Sequence, residues 1–83
     1  MKKIIIYSTQ ICPFCLRAKM LLKRKNLKFE EIILTDEKSR DEMIEKAGGK
    51  RTVPQIFIGD KHIGGCDELY ALESEGRLDE ITS

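Results

Sequence analysis

Near its start the chain carries Ile4-Ile5-Ile6-Tyr7, a β-branched, apolar run ended at once by Ser8, Thr9 and Gln10. Apolar side chains on both sides of a strand mean that both sides are covered, as in a parallel sheet flanked by helices. A few residues later the period changes. From Pro13 onward Phe14, Ala18, Leu21 and Leu22 recur at helical spacing, with Arg17, Lys19 and Lys23 between them. Proline suits the first helical position, where its missing N–H would have had no partner, and Asn26 is a plausible stop. Lys28 to Leu34 then reads as a second strand, half alternating and half continuously apolar. A strand–helix–strand opening implies a parallel pair joined by a right-handed crossover.

The rest extends that frame. Ser39 and Glu42 have capping-box spacing, and Met43, Ile44 and Ala47 give the following helix an apolar stripe that Gly48-Gly49 ends. A start near Asp36 is equally compatible. Gln55 to Ile58, Gly59-Asp60 and Lys61 to Ile63 have hairpin chemistry, with glycine first in a two-residue loop, as a type II′ turn requires. Gly64-Gly65 breaks the strand. Asp67 opens a last helical pattern through Leu69 and Leu72 to Gly76, and Leu78 and Ile81 can dock a short terminal turn. The order is β-α-β-α-β-β-α, an α/β four-stranded mixed sheet flanked by three helices plus that terminal turn. There are no repeats, linkers or low-complexity tracts.

With 83 residues the chain has room for one domain. Its net charge of +1 comes from acids and bases mixed along the whole length, which argues against nucleic-acid binding, since that would call for a basic face or stripe. The run Lys23-Arg24-Lys25 fits the last turn of a helix, where cations favour the dipole and face solvent. No segment resembles a signal peptide or a membrane span. A cytoplasmic, monomeric protein is expected, in a compartment where permanent disulfides are uncommon. The 3 cysteines are an odd number, poor for a disulfide framework, so they read as reactive rather than structural.

Cys12-Pro13-Phe14-Cys15 falls where the first strand gives way to the first helix. A helix N-terminus carries roughly half a positive elementary charge, and its unpaired N–H groups can donate to an anion. Cys12, at or near the N-cap, gains from both, so its thiol is expected to ionise more readily than usual. Arg17 adds more weakly. Cys15 lies one turn on and should be the less exposed sulfur. Cys12 is then the attacking thiolate, and Cys15 resolves the mixed disulfide that forms. A metal reading competes: Cys12, Cys15, Cys66 and His62 form a Cys3His set on paper, although zinc knuckles usually place their cysteines on a turn rather than on a proline-started helix.

Cys12-Pro13-Phe14-Cys15, Thr52-Val53-Pro54 and Gly64-Gly65-Cys66-Asp67 stand in the order and spacing of glutaredoxins, and the chain resembles that family over essentially its whole length. The likeness is greatest to the short bacterial glutaredoxin-3 type, which also carries a cysteine after the Gly-Gly pair. The resemblance implies a thioredoxin-like fold over residues 1–83 and glutathione as reducing co-substrate, with no metal expected. It implies a cis Pro54, a state populated appreciably only before proline, facing the cysteines and leaving the Val53 N–H and C=O to pair with glutathione in strand fashion. Gly65, Cys66 and Asp67 would form an anion nest for the γ-glutamyl carboxylate, with Asp67 facing its ammonium. Arg40 and Arg51 are candidates for the glycine carboxylate, and Phe14 and Thr52 complete the implied site. Glutathionylated and disulfide-containing proteins, ribonucleotide reductase among them, are the implied partners.

One departure matters. Glutaredoxins usually carry Lys three residues before the first cysteine, where this chain has Thr9; Ile11 replaces a common Thr, and Phe14 the commoner Tyr. Weaker glutathione affinity and a less acidic Cys12 are expected. Cys66 is either a small packed residue or a redox-sensitive thiol. His62 is expected at the surface, without a base role. Two other readings stay open, a redoxin recycled directly by thioredoxin reductase and an iron–sulfur module using Cys12.

Overall fold

The computed structural model describes residues 2–83. In chain order the elements are β1 (Ile4–Ser8), α1 (Pro13–Arg24), β2 (Glu30–Ile33), α2 (Glu37–Lys46), β3 (Gln55–Ile58), β4 (Lys61–Gly64), α3 (Cys66–Ser74) and α4 (Leu78–Thr82). The strands lie in the order β2-β1-β3-β4. β1 runs parallel to β2 and antiparallel to β3, which pairs antiparallel with β4 across an irregularity between Ile56 and Phe57.

The central strand explains the layers. Successive side chains of β1 point to opposite faces, so Ile4 and Ile6 enter one core with Ala18, Leu21 and Leu22 of α1, Ile56 and Ile58 of β3, Leu69 of α3 and Leu78 of α4. Tyr7 enters a second core with Leu34 and Met43, against which Ile5, Ile32, Ile44, Val53 and Phe57 pack. Helices α1 and α3 therefore cover one face and α2 the other. The expected strand from Lys28 is shorter: only Glu30–Ile33 pairs with β1. The expected terminal turn is the helix α4.

Helix ends follow from local chemistry. After α1, Asn26 takes a left-handed φ of 59°, while Leu27 N–H reaches the Leu22 carbonyl and Asn26 N–H that of Lys23, the paired bonds of a Schellman motif. Lys23 and Arg24 occupy the last turn as expected. Lys25 differs: it is the cap residue and binds Glu73 at 2.8 Å and Asp79 at 3.0 Å, tying α1 to α3 and α4. Of the two compatible starts for α2, the chain uses Asp36, whose carboxylate accepts from Ser39 N–H at 2.8 Å. Ser39 is thus the third residue of the box rather than its cap. The hairpin loop is Gly59-Asp60, with positive φ at Gly59 and not at Asp60, which matches the type II′ expectation.

Candidate active site

Cys12 is the N-cap of α1, in extended conformation, with Pro13 opening the helix. The Cys15 N–H donates to Cys12 Sγ at 3.1 Å, so the sulfur occupies the place of a capping oxygen and receives one of the helix's unclaimed donors. Cys12 and Cys15 are joined as a disulfide with their Cα atoms 5.2 Å apart, within the ordinary span for such a bond. The two sulfurs differ in access. Cys12 is half-buried and Cys15 is 1% exposed. Cys12 thus stands at the helix start open to a partner, whereas Cys15 is reachable from Cys12 and hardly from solvent.

Beside Cys12 stands the loop before β3. The Val53–Pro54 peptide is cis, as expected, and the Val53 carbonyl oxygen lies 3.9 Å from Cys12 Sγ. Among the described residues the Val53 N–H has no hydrogen-bond partner. Val53 packs its side chain on the α2-side core, which leaves its peptide toward a groove of about 180 Å³ lined by Phe14, Thr52, Val53, Pro54, Gly65, Cys66, Asp67 and Glu68. Seven of the expected site residues thus meet in one groove next to the cysteines. Phe14 is exposed at its rim.

Its far wall is the start of α3. Asp67 was expected to open this helix, but Gly65 is the N-cap and Asp67 the second helical residue. The reason is Glu68, whose Oε1 accepts from Gly65 N–H at 2.6 Å. The N–H groups of Cys66 and Asp67, in the first turn, have no partner among the described residues, so two donors and the helix dipole face the groove, as an anion nest requires. Gly64 holds a φ of +118°, and a Cβ there would fall 2.8 Å from Glu68 Oε1. Glycine is required at that position. Glu68 escaped the sequence reading, although its place three residues after Gly65 is capping-box spacing.

Arg40 and Arg51 do not join the groove. Arg40 lines a separate hollow with Leu34, Thr35, Asp36 and Glu37 at the start of α2, and Arg51 is an exposed loop residue. Arg17 is drawn to α3: its guanidinium lies 5.7 Å above the Tyr70 ring, whose hydroxyl donates to the Arg17 carbonyl. Cys66 is buried in the first core, and that burial, more than any charge nearby, pushes its thiol pKa up. His62, expected at the surface, is half-buried and binds Gln55. Among the described residues no three His, Cys, Asp or Glu side chains gather as a metal set, and no helix is long and apolar enough to cross a membrane.

Comparison with known proteins agrees with this geometry. The family model described as Glutaredoxin matches residues 4–63. Glutaredoxin 3 of Escherichia coli is 46% identical over 81 residues, covering 98% of each chain. The solution structure of glutaredoxin from Brucella melitensis is similar at a TM-score of 0.87 and 52% identity, over 99% of this chain and 89% of that one. The crystal structure of a buckwheat glutaredoxin–glutathione complex is similar at a TM-score of 0.87 and 29% identity, over 98% of this chain and 76% of that one. With the family model spanning most of the chain and relatives about half identical over nearly their whole length, the chain belongs to the glutaredoxin family of thiol–disulfide oxidoreductases.

Proposed function

We propose that this is a glutathione-dependent thiol–disulfide oxidoreductase, one glutaredoxin domain that reduces glutathione mixed disulfides and protein disulfides. The observation that carries the reading is the unpaired Val53 peptide, whose carbonyl lies 3.9 Å from Cys12 Sγ, in one groove with the open N–H groups of Cys66 and Asp67. An extended peptide can add to the free Val53 peptide as a strand does, and a carboxylate can sit on the helix start. Glutathione carries both. Its ammonium would meet the Asp67 carboxylate, which has no partner among the described residues. The buckwheat complex, a relative with glutathione bound, supports the same choice.

In this mechanism the Cys12 thiolate attacks the glutathione sulfur of a mixed disulfide. That S–S bond breaks, the freed protein thiolate takes a proton, and Cys12 carries glutathione. A second glutathione thiolate attacks that glutathione sulfur, releasing oxidised glutathione and restoring the Cys12 thiolate. With a protein disulfide, Cys12 forms a mixed disulfide with the substrate, and Cys15 attacks Cys12 Sγ to release the reduced protein. Two glutathiones then return the Cys12–Cys15 disulfide to the dithiol. Partners on this reading are glutathione and proteins bearing accessible disulfides, ribonucleotide reductase among them, in the cytoplasm. Arg40 and Arg51, outside the groove, are proposed as long-range attraction for the glycine carboxylate rather than as contacts.

The test is turnover of a small glutathione mixed disulfide with glutathione, glutathione reductase and NADPH. The wild type and Cys15→Ser are expected to be active and Cys12→Ser inactive. An inactive wild type would refute glutathione dependence, and an inactive Cys15→Ser would refute the division between the two cysteines.

A further inference from the structure

Gln55 opens β3 with its side chain 1% exposed, and each end of its amide is used. Nε2 donates to the Thr52 carbonyl at 2.9 Å and to Thr52 Oγ1 at 3.1 Å, while Oε1 lies 2.6 Å from His62 Nε2. A carbonyl oxygen only accepts, so the Thr52 carbonyl fixes which end of the amide faces the loop. Oε1 is then left to His62, whose Nε2 must carry the hydrogen. The His62 ring is held in turn by stacking on Phe57, 4.8 Å between centroids, and Phe57 meets Tyr7 edge-on at 5.7 Å. A continuous chain runs from β4 through β3 to the residue before Val53.

We propose that Gln55, kept in place by His62, is a positioning residue for substrate recognition: it fixes Thr52 so that the Val53 peptide stands open to glutathione beside Cys12. The assignment rests on the glutathione reading above. Gln55 touches neither the groove nor the sulfurs, and Thr52 and Val53 are the residues through which it acts. Without its two hydrogen bonds, no other described side chain holds Thr52. The loop then gains freedom that a bound tripeptide has to remove, and the effect falls on binding rather than on sulfur chemistry.

The experiment compares wild type, Gln55→Leu, His62→Phe and His62→Gln on the mixed disulfide of glutathione and 2-mercaptoethanol, alongside Cys12 alkylation by iodoacetamide. Gln55→Leu is expected to raise KM on the order of tenfold while kcat and the alkylation rate stay within about twofold. His62→Phe keeps an aromatic ring against Phe57 but loses the donor, and should raise KM about threefold. His62→Gln restores a donor to Gln55 Oε1 and should return KM to the wild-type value. The proposal is overturned if KM stays within about twofold of wild type in both Gln55→Leu and His62→Phe, or if a rise in KM is matched by a parallel fall in kcat and in the alkylation rate. Should Gln55→Leu fail to fold, the His62 pair decides: a rise in the phenylalanine variant reversed in the glutamine variant supports the assignment, and equal behaviour overturns it. A wild type unable to turn over the mixed disulfide overturns the glutathione reading itself, an outcome distinct from the others.

Discussion

Glu31 offers a prediction that reaches from one carboxylate to the stability of the whole strand–loop–helix unit. It sits on β2 beside β1 and accepts from Ser8 Oγ at 2.6 Å and from Lys19 Nζ at 2.7 Å. Ser8 ends β1 and Lys19 lies on α1, so the carboxylate ties together the elements on either side of the Cys12 loop. The Lys19 ammonium first, and the Ser8 hydroxyl second, hold its pKa below the usual carboxylate value. Glu31→Gln keeps the shape and one acceptor oxygen for Ser8 and Lys19, and replaces the charge and the second oxygen with a neutral NH2. A hydrogen bond with a charged partner contributes about 1.5–3 kcal/mol, and a neutral one about 0.5–1.5. Lys19 and Glu31 keep 23% and 26% of their side-chain surface in solvent, which places the loss at the lower end, about 1 kcal/mol at neutral pH.

The sign with pH follows from the direction of the shift. Because the folded-state pKa is depressed, the stabilisation is fully present above the ordinary carboxylate range and is lost as pH falls through the folded value. The assay is urea denaturation of both proteins from neutral pH down through that range, urea being chosen because guanidinium salt would screen the pair. Other carboxylates titrate in both proteins, so the difference isolates Glu31. A gap of about 1 kcal/mol, or about 4–8 °C in Tm for a chain of this size, should close in acid. Equal stability at neutral pH, or a gap that persists when Glu31 is protonated, would refute the reasoning.

Three further outcomes are expected. Thr9→Lys should lower KM for glutathione several-fold by placing a cation three residues before Cys12, and an unchanged KM would remove any role for charge at that position. In Cys12→Ser/Cys15→Ser, the Cys66 thiol should resist alkylation at neutral pH and react freely once urea unfolds the chain; because burial raises its pKa, labelling of the folded protein should accelerate only on the alkaline side of an ordinary thiol. Gly64→Ala should cost about 1–3 kcal/mol by forcing an L residue into the left-handed region and its Cβ against Glu68; adding Glu68→Ala should relieve the contact but not the backbone, so that stability, read by thermal melting, recovers only in part.

Much of this fold is legible in the chain because it is written in neighbours. Pro13 sets the start of α1 and Asn26 its stop, Gly48 ends α2, and Gly59-Asp60 makes the hairpin, each through chemistry confined to a few residues. The Cys12 cap is legible for the same reason. Errors arise where two local signals compete: Asp36 and Ser39 both suit a helix start, and Glu68 caps Gly65 and displaces Asp67 from the opening position. What escapes entirely is long-range pairing. Nothing near Ser8 announces a carboxylate 23 positions away, and nothing near His62 announces the Gln55 amide. Nor does charge alone tell which arginines line the groove: Arg40 and Arg51 are linked to it only by resemblance, and neither is among its lining residues.

The burial of Cys15 has a kinetic meaning. A sulfur 1% exposed cannot collide with a bulky disulfide, but it meets a neighbour 3 residues away on the same helix turn as though that neighbour were present at very high concentration. Well-oriented groups within one molecule reach effective molarities of about 10⁵ M or more, far beyond any free thiol. On the proposed division of roles, an adduct on Cys12 would keep an exit that consumes no second molecule, and a substrate would not depend on free reductant for its release. In that proposal access, set by packing, assigns which sulfur begins the reaction and which one ends it.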